Sequence, residues 1–157
     1  MAGRLDYYHD PDAPPANSIV VAVTAFILDA AGRLLMIRRT DNDLYAIPGG
    51  AQEIGETISQ TVLREVQEET GILVEVTGLI GVYSDPAHVI AFADGEVRQE
   101  FSLCFRARPI RGEPRTSSES KEVLWVEPVK LNDLNIHPSI TLRIQHGFEQ
   151  SAKPFYA

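Results

Sequence analysis

The sequence is poor in cysteine and contains no long apolar run. Its 157 residues include a single cysteine, Cys104, so no internal disulfide can form. Cys104 lies in the apolar run 101–105, which predicts a buried strand thiol rather than a nucleophile. The longest apolar stretch, 19–28, is too short to span a bilayer. Disulfide-rich scaffolds and proteins that span a membrane through helices are therefore not expected.

Basic residues are also scarce, since 14 Lys and Arg stand against 22 Asp and Glu, for a net charge of −8. This balance argues against binding to polymeric nucleic acid or to a membrane surface. A small anionic ligand stays compatible with it, provided that a cation mediates the contact. The N-terminal residues contain acids and no apolar core, so they do not form a secretory signal, and a cytoplasmic protein is expected.

Apolar periodicity and turn residues predict one α+β domain over residues 18–150, with 1–17 as a tail or edge segment and 151–157 as a C-terminal tail. A helix is expected between Thr57 and Gly71, and a second from Ser139 to about Gln150. The expected architecture is an α/β/α sandwich with a mixed sheet between the helices. Strands are predicted over 18–29 and 33–39 (a hairpin-like pair), 44–48, 72–83 (with bends or bulges at Gly78 and Gly81), 97–108 and 123–126.

The helix that begins after Thr57 carries a strip of acids. Glu65, Glu68 and Glu69 project within about one third of the helix circumference, beside its apolar face. Like charges four residues apart repel one another, whereas a divalent cation would join them, and Mg²⁺ prefers such oxygen ligands. The alternative is a solvated acidic surface in which Arg64 pairs with Glu68.

The setting of this strip resembles the Nudix box. Residues 50–72 read GAQEIGETISQTVLREVQEETGI, and the box is G, five residues, E, seven residues, then R-E-U-x-E-E-x-G-U, with U aliphatic. All nine specified positions are filled at the right spacing, by Gly50, Glu56, Arg64, Glu65, Val66, Glu68, Glu69, Gly71 and Ile72.

The resemblance implies a Mg²⁺-dependent hydrolase, with Mn²⁺ as a possible substitute, in which water attacks phosphorus in a nucleoside diphosphate linked to another group. It implies that Glu65, Glu68, Glu69 and the Gly50 carbonyl bind the metal. Arg64 is implied to orient these carboxylates. Glu56 is implied to hold the loop before the helix.

Residues outside the box are less constrained. The resemblance leaves the general base open between a glutamate of the box and one from the later segment, Glu119 or Glu122. Arg38 or Arg39, near the Gly-Gly turn, is a candidate for phosphate binding. Tyr45 is expected in the core, with base stacking as the alternative, and His88 on a loop that rims the pocket. His137 is expected to cap the last helix.

The substrate is left open between a nucleoside triphosphate and a nucleotide sugar such as ADP-ribose. Pro86 lies near, but not at, the position of the proline that tends to mark the ADP-ribose group, and Val89 occupies the place where the diadenosine-polyphosphate group tends to carry tyrosine. A non-catalytic nucleotide-sensing module and an isomerase on the same scaffold are the alternatives. A homodimer is possible.

Overall fold

The computed structural model describes residues 3–157, so the first two residues of the predicted N-terminal segment lie outside the described part. The described chain forms two β-sheets and two α-helices, and a 3-10 helix at Pro128–Asp133 precedes the second α-helix. The elements are β1 (Arg4–Tyr8), β2 (Ser18–Ile27), β3 (Leu34–Arg39), β4 (Tyr45–Ala46), β5 (Gly49–Ala51), α1 (Ile58–Thr70), β6 (Leu73–Tyr83), β7 (His88–Phe92), β8 (Val97–Arg111), β9 (Ser120–Val126), α2 (Pro138–Glu149) and β10 (Phe155–Tyr156).

The long strand β8 organises the larger, seven-stranded sheet. It pairs in parallel with β2 on one side, and antiparallel with β7 and β6 on the other. The edges are completed by β1 on β7, β5 on β2 and the short β10 on β6. The predicted mixed sheet is thus confirmed, and register shifts in β6 fall next to Gly78 and Gly81, where bends were expected.

The predicted hairpin between the second and third strands is wrong. Strand β3 belongs to a separate three-stranded sheet with β4 and β9, and one isolated bridge, Leu28 to Leu34, links the two segments. The reason is that consecutive residues from Leu34 to Ile37 are all buried. A strand with two apolar faces needs cover on both sides, and Leu35 faces one core while Met36 faces the other.

The predicted strand 44–48 is shorter in the structure, and a second short strand follows it in the other sheet. Tyr45–Ala46 pairs with β3, whereas Gly49–Ala51, after Pro48, pairs with β2. A Cβ at position 49 would overlap the backbone of Val23, so only glycine permits this close approach.

The two helices cover opposite faces and confirm the α/β/α sandwich. Helix α1 begins at a Thr57–Gln60 capping box and ends before Gly71 in the left-handed conformation, as predicted, and it buries Val62 and Val66. Helix α2 closes the second core through Ile144. No helix within residues 3–157 is long and apolar enough to cross a membrane.

Candidate active site

The candidate site lies where α1 faces β5 and the beginning of β9. The backbone N–H of Gly49 donates to Oε2 of Glu69 at 3.2 Å, and the buried Ser120 hydroxyl donates to the Glu69 carbonyl. A Cβ at position 50 would lie 2.5 and 2.6 Å from the two carboxylate oxygens of Glu65. The glycine pair therefore lets the strand approach two glutamates of the helix closely.

Three carboxylates meet at this point. One oxygen from each of Glu65, Glu69 and Glu119 lies within 4.8 Å of the others. Glu65 is 8% exposed and Glu69 only 3%, whereas Glu119 is open to solvent. Burial, followed by the charge of Glu65, raises the pKa of Glu69 to about 8, and burial also raises the pKa of Glu65. The ionised forms of both buried glutamates are therefore disfavoured unless a cation lies beside them.

The donor set fits a hard divalent cation. Within residues 3–157, Glu69 forms no salt bridge with an arginine or lysine, and Glu65 pairs with Arg64 alone. Arg64 is shared with Glu56, and Arg39 acts on Glu69 only through its charge, so the three carboxylates keep an excess of negative charge when they are ionised. Oxygen-only donors suit Mg²⁺ or Mn²⁺. Glu65 and Glu69 are the residues that would hold such an ion, with Glu119 beside them.

Arg64 connects the helix to the loop before it. Its guanidinium donates to both carboxylate oxygens of Glu56, at 2.6 and 2.9 Å, to Glu65 at 2.7 Å and to the Ala51 carbonyl at 3.0 Å. The hydrogen bond from Arg64, followed by that from the Glu53 N–H, lowers the pKa of Glu56 to about 2. These contacts fix the orientation of Glu65 and hold the 51–56 loop against α1.

Two other predicted acids lie outside the three-carboxylate cluster. Glu68 points to solvent, with 61% of its side chain exposed, and approaches Arg64 at 3.3 Å. Glu122 accepts a hydrogen bond from the Tyr45 hydroxyl at 2.7 Å and pairs with Arg38 at 3.0 Å. The hydrogen bond from Tyr45, followed by that from Arg38, lowers the pKa of Glu122. The structure therefore brings Glu119, but not Glu122, to the buried glutamates.

The two arginines at the end of β3 are both paired with acids. Arg38 contacts Asp43 at 2.8 Å, and Arg39 binds Asp41 through two nitrogens, at 2.6 and 2.8 Å. Although burial opposes it, the pKa of Arg39 is raised by Asp41 and by the charges of Glu69 and Asp6. The charge of Arg39 therefore interacts with both Glu69 and Asp6, while its hydrogen bonds go to Asp41.

The expectation that His88 lies on a loop is wrong. The loop ends at Ala87, and His88 is the first residue of β7, paired with Tyr8 of β1 and only 6% exposed. The turn residues before His88 suggested a longer loop. Strand β1 orders this edge of the sheet, but it has no clear apolar pattern and could not be recognised in the sequence. His137 caps α2 as predicted, since its Nδ1 accepts the Ser139 N–H.

Tyr45 contributes to the core on the α2 side, as expected, while its hydroxyl reaches Glu122. Sequence reasoning did not identify Gly49 or Ser120, which both bind Glu69. The Gly-Gly pair was a signal for the first. The contact of Ser120 depends on the register of β9, which leaves no local signature.

Helix-borne carboxylates beside a glycine pair, on an α/β/α sandwich, form a candidate site for a divalent cation, as in a metal-dependent enzyme. The model of the NUDIX domain matches residues 19–144. The chain therefore belongs to the Nudix family and is a Nudix hydrolase.

The chain is similar to proteins of several named activities. It is 42% identical over 121 residues to a MutT-like protein of Streptomyces ambofaciens, a match that covers 77% of this chain and 71% of that protein. It is 36% identical over 116 residues to an ADP-ribose pyrophosphatase of Methanocaldococcus jannaschii, covering 69% of this chain and 60% of that protein. A crystal structure of a NUDIX hydrolase from Nitrosomonas europaea superposes with a TM-score of 0.71 at 21% identity, over 90% of this chain and 77% of the other, and shares the fold.

Proposed function

We propose that the chain hydrolyses a diphosphate linkage in a nucleoside diphosphate joined to another group, with Mg²⁺ as the resident ion. The observation that carries this proposal is the buried pair Glu65 and Glu69, with Glu119 beside it. Burial of like charges costs stability unless a cation joins them. The same cation would offset the repulsion between an acidic protein and a phosphorylated substrate.

Within this proposal, Glu65 and Glu69 hold the ion, and Arg64 keeps Glu65 in place through their 2.7 Å contact. A bound divalent ion polarises phosphoryl oxygens and neutralises charge on the leaving phosphate. Glu56 and the Ala51 carbonyl fix Arg64 in turn, so the geometry of the ligands is set before substrate arrives.

Glu119 is the residue that we assign as general base. It belongs to the carboxylate cluster but is exposed, so the attacking water can reach it, and its carboxylate can accept the proton that the water loses. Glu122 is the poorer candidate, because Tyr45 and Arg38 already occupy its carboxylate and lower its pKa.

For the substrate, we propose a nucleoside triphosphate or a nucleotide sugar such as ADP-ribose. A relative named ADP-ribose pyrophosphatase and one named MutT-like support this range. Polymeric nucleic acid is not proposed, because the net charge of −8 would repel it.

The test is a product-release assay over nucleoside triphosphates, ADP-ribose, other nucleotide sugars and dinucleotides, with and without Mg²⁺. The variant is Glu69→Gln, which preserves shape and removes one ligand charge. The matched control is Glu149→Gln, at the end of α2 and outside the carboxylate cluster. We expect one substrate class to be turned over, with loss of activity in EDTA and a drop of about 100-fold or more in Glu69→Gln.

Wild-type turnover in Glu69→Gln, or activity that resists EDTA, would contradict the assignment. Nucleotide binding without turnover would favour the sensing module, and an isomerised product without release of phosphate or nucleoside monophosphate would favour the isomerase. Glu119→Gln should reduce turnover by about 100-fold or more while metal binding persists. Glu122→Gln should reduce it far less, and the reverse order would move the base to Glu122.

A further inference from the structure

Glu119 lies at the end of the loop that joins β8 to β9, and it is exposed to solvent. One of its oxygens lies within 4.8 Å of oxygens of Glu65 and Glu69. Within residues 3–157, however, its carboxylate forms no hydrogen bond or ion pair with another side chain. The place of an unpaired side chain is set only by its rotamer and by the backbone that carries it. The position of Glu119 beside the buried glutamates therefore depends on what holds the loop.

Ser117 closes the turn that carries Glu119. Its Oγ accepts the backbone N–H groups of Glu119 and Ser120, each at 3.2 Å. Its own N–H donates to the Ser120 carbonyl at 2.9 Å. A serine hydroxyl that binds the backbone two residues on stabilises a turn in this way. The two accepted N–H groups belong to the peptide units on either side of the Glu119 Cα, so Ser117 fixes both of them.

A directional chain of two hydroxyl groups ties this turn to α1. The Ser120 hydroxyl donates to the Glu69 carbonyl, which can only accept. Oγ of Ser120 also lies 2.7 Å from Oγ of Ser117, and because its single proton is already engaged, the Ser117 hydroxyl is the donor in that contact. Close by, the Arg115 N–H donates to the Thr70 carbonyl at 2.9 Å. The turn is thus attached to the backbone of the residue that carries a buried carboxylate.

Thr40, the residue after β3, holds the turn from its other side. Its backbone N–H donates to the Glu119 carbonyl at 3.1 Å, and its hydroxyl donates to the Ser118 carbonyl at 3.0 Å. The side chain of Thr40 is exposed, so it contributes little to the core. The turn is therefore held between the end of β3 and the end of α1.

A β-bulge lies in β9 directly after this turn. Lys121 is an extra residue in β9, since the pairing with β3 passes from Glu122 directly to Ser120. In a regular strand, Ser120 and Glu122 would point to the same face. Here Ser120 reaches α1, whereas Glu122 binds Arg38. Bulges re-aim side chains in this way and are common beside active sites.

We propose that Ser117 and Thr40 are positioning residues, which fix the backbone around Glu119 so that its carboxylate stays beside the buried glutamates as the general base. This inference rests on the proposed assignment of Glu119 as that base. A misplacement of about 1 Å costs about 100-fold in rate. A loosened Glu119 spends less time at the attacking water, which lowers kcat. Glu65 and Glu69 do not move, so binding of the metal is unchanged.

The test compares Ser117→Ala and Thr40→Val with two matched controls, Ser151→Ala and Thr77→Val. Oγ of Ser151 accepts the N–H two residues on, at 3.3 Å, and the Thr77 hydroxyl donates to a backbone carbonyl at 3.2 Å. Each control therefore loses the same kind of contact outside the carboxylate cluster. The readouts are kcat and KM on the nucleotide that the wild type turns over fastest, the affinity for Mn²⁺, and Tm.

We expect kcat to fall by about 10-fold or more in Ser117→Ala and by about 3-fold in Thr40→Val, with KM and Mn²⁺ affinity within about 2-fold of wild type. Both controls should match the wild type. The deciding readout is the double variant. In a Glu119→Gln background, Ser117→Ala should change kcat by less than about 2-fold, because no base remains to be positioned. A merely structural serine would lower kcat again by the same factor.

Wild-type kcat in Ser117→Ala and Thr40→Val, beside an impaired Glu119→Gln, would overturn the positioning role and leave Glu119 as the base. An additive loss in the double variant would overturn it as well. Wild-type kcat in Glu119→Gln would instead overturn the proposed base, and the positioning role with it. If Ser117→Ala unfolds, Thr40→Val carries the same double-variant comparison, because its side chain is exposed.

Discussion

The close approach of Gly50 to Glu65 predicts that Gly50→Ala sharply lowers activity without unfolding the protein. The added methyl carbon would lie 2.5 and 2.6 Å from the Glu65 oxygens, and carbon atoms and oxygens normally stay about 3.4 Å or more apart. Glu65 must therefore move by about 1 Å, although Arg64 holds it at 2.7 Å.

The magnitude follows from this displacement. A ligand shifted by about 1 Å costs roughly 100-fold in kcat/KM, or about 2.7 kcal/mol of transition-state stabilisation. The fold is expected to change little. Alanine in a strand is favoured over glycine by about 0.5–1 kcal/mol, while an off-rotamer Glu65 costs about 0.5–1.5 kcal/mol. The two effects nearly cancel, so Tm should shift by only about 2–4 °C at most.

The assay compares kcat/KM and Tm for Gly50→Ala and for Gly78→Ala. Gly78 is a suitable control, because a Cβ there meets no atom within 4 Å. Near wild-type turnover in Gly50→Ala would refute the argument that this glycine makes room for Glu65. Loss of activity that accompanies a large fall in Tm would also refute it, because unfolding would then be the cause.

Two further predictions concern stability. Since the pKa of Glu56 is lowered to about 2, its ionised form stabilises the fold above the ordinary pKa of 4.5, and this stabilisation is lost as pH falls towards 2. The Tm of the wild type should therefore exceed that of Glu56→Gln by less and less as pH falls from 5 to about 2.5. A difference in Tm that stays constant over this range would show that the ion pair between Glu56 and Arg64 does not cause it. Ser120→Ala should cost about 1–3 kcal/mol in urea unfolding, because the buried Glu69 carbonyl loses its partner. Ser59→Ala, on the exposed face of α1, should change stability by less than about 0.5 kcal/mol, and equal losses would show that the Ser120 contact is unimportant.

The helix and its acids could be predicted because their signals are local. The Thr57 capping box and Gly71 fix both ends of α1, and the 3.6-residue period then determines that Glu65 and Glu69 share a face. Strand pairing had no such signal. β2 was expected to pair with its neighbour β3, but it pairs with β8 about eighty residues later, and only the long-range fit of the two cores decides this.

The parts of the site outside α1 depend on the same long-range packing. Glu119 and Glu122 are equivalent in sequence, three residues apart in one segment. The pairing of β9 with β3 brings Glu122 to Arg38, while the Ser120 contact with α1 holds Glu119 beside the buried glutamates. His88 was assigned to a loop for the same reason, since its burial requires β1, a polar edge strand with no recognisable pattern.

The burial that makes Glu69 a candidate metal ligand also predicts a conflict between stability and activity. At pH 9, above its pKa of about 8, Glu69 is ionised next to Glu65, and in EDTA no cation offsets the repulsion. Glu69→Gln removes this repulsion, so it should raise Tm in EDTA by roughly 2–4 °C for each kcal/mol gained. In Mg²⁺ at 100 times its Kd, the free energy of unfolding should rise by about 2.7 kcal/mol in the wild type alone. The difference in Tm between Glu69→Gln and the wild type should then become smaller or change sign. A variant less stable than wild type in EDTA would show that Glu69 is held by the protein itself, and the case for a cation at the three-carboxylate cluster would fail.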